Sequence, residues 1–131
     1  MNSKVTLTIT SLLSILLFAM HWADEVARGM EPGTLSAFGG IVILLAWSCG
    51  TLLLAGRRLG YVVSLLGGIL GLGVLVLHMS GRGLVGGRIA VGSSGAFFWV
   101  LTLIALGVTS TLSAILAGRG LWSFRRKERE L

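Results

Sequence analysis

The sequence has little of what soluble enzymes and secreted domains usually rely on. Its 131 residues include one cysteine, one proline, five acidic residues and two histidines. A single cysteine, Cys49, excludes an internal disulfide and any Cys-x-x-Cys redox or zinc pair. We expect its thiol to be buried and inert, as free cysteines in apolar runs usually are. Because no nucleophile or acid–base pair stands in a recognisable catalytic pattern, we also expect the protein not to be an enzyme.

Charge is absent from four long apolar runs, and this absence indicates the class of protein. Hydrophobic residues make up 54% of the chain and charged residues 12%, and the mean hydropathy is +0.91. Residues 5–22, 35–55, 61–79 and 96–117 contain no Asp, Glu, Lys or Arg. About 20 apolar residues cross a bilayer as a helix, whereas an unpaired charge there costs several kcal/mol. The runs predict one domain over residues 1–131, an all-α membrane protein with an up-down-up-down bundle of four transmembrane helices.

The end of the first run and the start of the fourth carry two further predictions. The first run is not followed by a small-x-small cleavage pattern, so we expect an uncleaved helix and not a signal peptide. Phe97, Phe98 and Trp99 begin the fourth run. Aromatic residues at such positions are typical of the membrane interface, and we expect these three to anchor the helix there.

Positive charges are concentrated on one side of the runs. The net charge is +6. The basic residues on the side of the two termini are Lys4, Arg57, Arg58, Arg119, Arg125, Arg126, Lys127 and Arg129. The positive-inside rule therefore places both termini on the cytoplasmic side of the membrane. We expect the basic tail, residues 118–131, to contact anionic lipid, and we expect no nucleic-acid partner.

Small residues recur along the third run. Gly60, Ser64 and Gly68 follow one another at a spacing of four, and Gly67 with Gly71 forms a G-x-x-x-G pattern. Lipid provides no hydrophobic drive for helices to associate, so close contact along small residues takes its place. The pattern predicts a tight packing seam, either inside the bundle or between copies in a homodimer or larger membrane complex.

Two histidines and two acidic residues are predicted to meet at the outer end of the bundle. His21 ends the first run and His78 ends the third. Helices 1 and 3 are diagonal in an antiparallel four-helix bundle, so both rings can face its axis. Asp24 and Glu25 follow His21 at i+3 and i+4, on the same helix face. The adjacent loops carry three candidate contacts for an anion or a lipid head group, Arg28, Arg82 and Arg88.

Three interpretations of this constellation stay open. Two imidazoles with one or two carboxylates suit zinc, copper or iron, and two diagonal histidines alone could ligate haem. Alternatively, His21 and Asp24 form a proton relay or clamp the head group of a quinone or lipid. The residue types favour the third interpretation, a polar cluster without a ligand. His, Asp and Glu occur at interfacial helix ends without cost, and either acid can pair with Arg28.

Three segments resemble small bacterial four-helix membrane proteins. They are HWADEVARG at residues 21–29, GRRLGYVVSLLGG at 56–68 and LHMSGRG at 77–83. In those proteins a His with paired acids and Arg-Gly follows helix 1, and Leu-His-Met ends helix 3. The resemblance implies the four-helix bundle and a location in a bacterial inner membrane, and it carries no activity. We therefore expect a non-enzymatic structural or accessory subunit. The alternative is a metal-, haem-, quinone- or lipid-binding protein with its site around His21, Asp24, Glu25 and His78.

Overall fold

The computed structural model describes residues 3–29, 34–79 and 94–130, which contain four helices and no strand. The helices are α1 (Ser3–Ala27), α2 (Thr34–Leu53), α3 (Arg58–Met79) and α4 (Ser94–Arg129). The predicted all-helical class with four helices is confirmed. Three segments, Ser3–Ala27, Arg58–Met79 and Gly95–Arg126, are long and apolar enough to cross a membrane, and α2 contributes a shorter apolar helix, Ala37–Leu53.

Two helices run well past the apolar segments from which they were predicted. Helix α1 continues to Ala27, beyond the predicted end at residue 22, and α4 continues to Arg129, through most of the predicted basic tail. A helix satisfies its backbone hydrogen bonds internally, whether its side chains meet lipid or water. Hydropathy therefore marks the apolar part of a helix and not its ends.

Two glycines with left-handed backbone angles turn the chain after α1 and after α2. Gly29 has a φ of 67°, and its N–H donates to the Val26 carbonyl at 3.0 Å. Gly56 has a φ of 78°, and the next N–H, of Arg57, donates to the Leu54 carbonyl at 3.0 Å. Side chains disfavour this backbone region, so glycine is the usual residue just past a helix end.

Helices α1 and α3 lie along the short diagonal of the bundle. Both α2 and α4 pack against α1 and α3, which also touch each other, whereas the backbones of α2 and α4 stay apart within the described ranges. Trp22 near the end of α1 lies against Gly40 near the start of α2, and Tyr61 near the start of α3 lies against Gly120 near the end of α4. Successive helices therefore alternate in direction. We call the end where α1 begins and α4 ends the terminal end, and the opposite one, the predicted outer end, the distal end.

The bundle core has three apolar layers. From the distal end, their buried members are Trp99 and Leu103, then Phe18, Trp47 and Leu106, then Leu7, Tyr61 and Ala117. In the middle layer the Trp47 indole N–H donates to Ser11 Oγ at 2.9 Å, and Ser11 Oγ lies 2.8 Å from Thr51 Oγ1. These hydrogen bonds join α1 to α2 inside the bundle. The apolar middle layer separates the distal end from the terminal end.

The predicted seam on α3 is covered by the chain's own helices. Its residues Gly60, Ser64, Gly67, Gly68 and Gly71 are all buried. A Cβ atom at Gly68 would lie 2.8 Å from the Ser110 carbonyl oxygen and 2.9 Å from the Ala114 backbone nitrogen of α4. These distances are too short for a side chain, so the close approach of α3 to α4 needs glycine. A second copy of the chain would therefore have to dock on another face.

Cys49 is not buried, contrary to expectation. It lies on the exposed surface of α2, which also presents Ile41, Leu45 and Leu52. An apolar run shows that a helix is surrounded by apolar material but does not show which face meets protein and which meets lipid. Trp47 packs into the core of the bundle, and this packing sets the rotation of α2.

Candidate metal centre

Three side chains from two helices converge at the distal end. His21 and Glu25 stand one turn apart on α1, and His78 lies in the last turn of α3. Glu25 Oε1 is 2.8 Å from His78 Nε2 and 3.5 Å from His21 Nε2. One ligand atom from each of the three residues lies within 4.8 Å of the other two. The parallel diagonal helices thus bring both histidines and one carboxylate to the same depth.

The His21 ring is held by α4 through its other nitrogen. His21 Nδ1 lies 3.3 Å from Thr102 Oγ1, whose own hydroxyl donates to the Phe98 and Trp99 carbonyls at 3.0 Å. Because the Thr102 proton is committed to its own helix, Nδ1 must be the donor to Thr102. In the neutral ring Nε2 then carries a lone pair. That nitrogen is buried and has no hydrogen-bond partner.

The His78 ring is oriented in the same manner by its own helix. Its Nδ1–H donates to the Val74 carbonyl at 2.7 Å, so Nε2 is the nitrogen that meets Glu25. The contact between Nε2 and the carboxylate is bridged by one proton, carried by either atom. Metal-binding histidines usually donate their second ring N–H to a carbonyl, carboxylate or hydroxyl in this fashion. A metal ion at Nε2 would displace the bridging proton.

Trp99 covers both imidazoles. Its ring centroid lies 5.1 Å from that of His21 and 5.3 Å from that of His78. We expected Trp99 to be an interfacial anchor, and this was wrong, since it is only 7% exposed. Its neighbour Phe97, at 74% exposure, has the surface position expected of an anchor. His21 is 1% exposed, so the surrounding side chains keep water from its Nε2, which has no hydrogen-bond partner.

The two distances from the Glu25 carboxylate suit a tetrahedral metal site. Zinc binds His nitrogen and carboxylate oxygen at about 2.0–2.2 Å, which places two tetrahedral donors about 3.4 Å apart. The two distances from Glu25 Oε1, 2.8 and 3.5 Å, lie on either side of that separation. Two histidines and one carboxylate form a ligand set of catalytic zinc and of non-haem iron. Such a set leaves a fourth position for water or for a donor from another molecule.

The geometry disfavours haem between the two histidines. Their rings meet edge to face with centroids 5.3 Å apart. A porphyrin would have to lie between its two axial ligands, and here the rings are in contact with each other and with Trp99. The pair would have to separate before a macrocycle entered.

Asp24 does not join the three side chains, although it was a candidate ligand. Its Oδ2 accepts a hydrogen bond from Arg28 Nε at 2.8 Å, and the Arg28 side chain lies against Gly95 at the start of α4. The Asp24 hydrogen bond raises the pKa of Arg28 above its ordinary value. The pair therefore links α1 to α4 as ions beside the site. Arg82 and Arg88, the other two predicted anion contacts, lie outside the described residues.

Sequence reasoning missed Thr102 and Trp99 as residues of the site. The signal available was their spacing, since the two positions lie three apart on α4 and so share a helix face. Nothing in the sequence alone indicated that this face meets His21 and not lipid.

No protein-family model, curated protein or solved structure matches this chain. The function is therefore argued from the geometry of the site.

Proposed function

We propose that the protein is a small integral membrane protein that binds one divalent transition-metal ion, zinc being the best fit, through His21, Glu25 and His78. The observation that carries the proposal is the state of His21. Its Nε2 is buried without a hydrogen-bond partner, faces Glu25, and has its lone pair fixed by the Thr102 contact. An unpaired buried polar group costs roughly 1–3 kcal/mol. A metal ion at this position would remove that cost.

The charge pattern supports an orientation for this site. Basic residues cluster at the terminal end, and the acidic residues Asp24 and Glu25 lie at the distal end. Under the positive-inside rule both termini are cytoplasmic, and the metal centre then lies on the outer side of a bacterial inner membrane. The apolar middle layer separates it from the cytoplasmic end. These features favour a protein that holds or hands over a metal at the outer surface.

The test is metal binding by a matched pair of carboxylate variants. The protein is purified in mild detergent, stripped with a chelator and titrated with Co²⁺, whose visible absorption reports tetrahedral N/O coordination, and then with Zn²⁺ in competition. We expect one ion per chain in the wild type. Glu25→Gln should weaken binding at least tenfold, on the scale of one lost charged ligand. Asp24→Asn, the same change one residue away, should leave affinity unchanged.

Two results would contradict the proposal. One is a wild-type protein that takes up no stoichiometric metal, which would favour the structural or accessory role without a ligand. The other is an equal loss in both variants, which would indicate attraction of cations to surface charge and no ligation. His78→Gln is a second ligand variant, and circular dichroism checks that each variant retains its helices.

A further inference from the structure

The exposed face of α4 is apolar along the bundle and becomes basic at the terminal end. Large apolar side chains recur on it at spacings of four or seven residues, and each is 49–74% exposed: Phe97, Ile104, Val108, Ile115 and Trp122. Residues at these spacings share one side of a helix. No described residue covers this side, so in a bilayer it meets lipid.

Two aromatic side chains mark where this face enters and leaves the membrane. Phe97 and Trp122 are each 74% exposed, and they stand 25 residues apart, which corresponds to about 37 Å of helix. The hydrocarbon core of a bilayer is roughly 30 Å thick, or roughly 40–45 Å with its head-group layers, and aromatic side chains concentrate at its two boundaries. Side chains just beyond Trp122 then lie at the level of the lipid head groups.

Three arginines continue this face beyond Trp122. Together with Trp122, a groove of about 330 Å³ is lined by Arg125, Arg126 and Arg129. They follow Trp122 by three, four and seven residues and therefore lie on its side of α4. Side chains of a helix tilt toward its N-terminus, which for the end of α4 is the direction of the membrane. Their guanidinium groups can therefore reach the head-group layer.

Two of these arginines have no acidic partner. Arg126 donates to Glu130 at 3.1 Å, whereas neither Arg125 nor Arg129 pairs with an acid in the described part of the chain. Glu128, three residues beyond Arg125, is engaged by an arginine of α3. Like charges one turn apart on a helix repel each other. An anion between Arg125 and Arg129 would therefore stabilise this end of α4.

We infer that this groove binds the head group of an anionic phospholipid in the leaflet at the terminal end. The phosphate lies between Arg125 and Arg129, since guanidinium groups bind phosphate through strong charge-assisted hydrogen bonds. Trp122 packs against the glycerol region, and the acyl chains lie along the apolar face of α4. Basic residues beside a membrane attract anionic lipid in general, whereas this arrangement assigns the binding to one face of one helix. The inference rests on the membrane location in the proposed function and not on the metal centre.

The experiment measures lipid binding to delipidated protein in mild detergent by native mass spectrometry. The protein is titrated with phosphatidylglycerol and with phosphatidylcholine of the same chains, and we expect phosphatidylglycerol to bind roughly tenfold more tightly. Arg125→Gln and Arg129→Gln should each weaken its binding roughly tenfold. Arg57→Gln removes the same charge at the same end of the molecule, outside the groove, and should leave binding unchanged. All three side chains are exposed, so the variants should fold as the wild type does.

Flotation with liposomes tests the membrane location separately. Protein that does not float overturns both that location and this inference, whereas floating protein without a preference for phosphatidylglycerol overturns this inference alone. An equal loss in Arg57→Gln would also overturn it, because it would indicate attraction to the basic end as a whole. So would a groove that binds a soluble oligonucleotide and not phosphatidylglycerol, which would identify a soluble polyanion as its occupant.

Discussion

At the scale of the residue, the candidate metal centre depends on the groups that hold its histidines as much as on the ligands. The Thr102 oxygen accepts from His21 Nδ1 while its own proton bonds to the backbone of α4. The Val74 carbonyl likewise accepts a hydrogen bond from His78 Nδ1. These partners fix which nitrogen has the lone pair. Such supporting contacts typically change metal affinity by roughly 10–100-fold when they are removed.

Thr102→Val tests this support, because valine keeps the shape of threonine and loses the hydroxyl. We expect Zn²⁺ affinity to fall roughly 10–100-fold, since the His21 ring is no longer held in the required tautomer. Thr109→Val is the matched control, because Thr109 bonds only to the Ala105 and Leu106 carbonyls of its own helix. A competition titration with a zinc-sensitive dye measures both. Equal affinity in the two variants would show that Thr102 has no part in the site.

Residue type and depth were enough to expect His21, Glu25 and His78 at one end of the bundle, where the structure has them adjacent. They were not enough to choose between Asp24 and Glu25. Neighbouring helix positions point about 100° apart, so the choice depends on how α1 is rotated against α3 and α4. Nor did they single out Thr102, because hydroxyls in apolar helices ordinarily bond to their own backbone, as Thr109 does.

At the scale of the element, the contact of α3 with α4 positions His78 relative to Thr102 and Trp99. The spacing of small residues was enough to predict which face of α3 packs tightly. It did not indicate which helix that face meets, because a small-residue pattern describes one surface and not its partner. The partner is α4 along Gly68 and Gly71, and α2 at Gly67, which lies against Trp47.

Gly68→Ala should destabilise the bundle, whereas Gly73→Ala should not. The new methyl at residue 68 meets the backbone of α4, which cannot move aside as a side chain can. Overpacking of this kind costs roughly 1–3 kcal/mol. Nothing lies within 4 Å of a Cβ at Gly73 on the same helix, so that variant should be within about 0.5 kcal/mol of the wild type. Unfolding in a detergent mixture of increasing SDS measures both, and equal stability would mean that α3 and α4 do not pack this closely.

At the scale of the whole molecule, the two ends differ in chemistry while the surface between them is apolar. The terminal end is basic, and the distal end brings together His21, Glu25 and His78. Large apolar side chains are exposed along all four helices. In water such a surface would aggregate, whereas in a bilayer it is solvated by lipid. The four apolar runs were enough to expect this arrangement, but orientation depends on charge counts alone and needs a direct measurement.

Cys49 allows that measurement because it is the only native cysteine and lies on the exposed face of α2. In a bilayer this face of α2 is covered by lipid, so a membrane-impermeant maleimide cannot reach the thiol and should label it only after unfolding in SDS. In the background of Cys49→Ser, single cysteines are then placed at Ala27, at the distal end, and at Glu130, at the terminal end. Cytoplasmic termini predict that Ala27→Cys is labelled from outside in spheroplasts and Glu130→Cys only in inverted vesicles. The reverse pattern would place the metal centre on the cytoplasmic side, and labelling of Cys49 in intact membranes would show that α2 is in water.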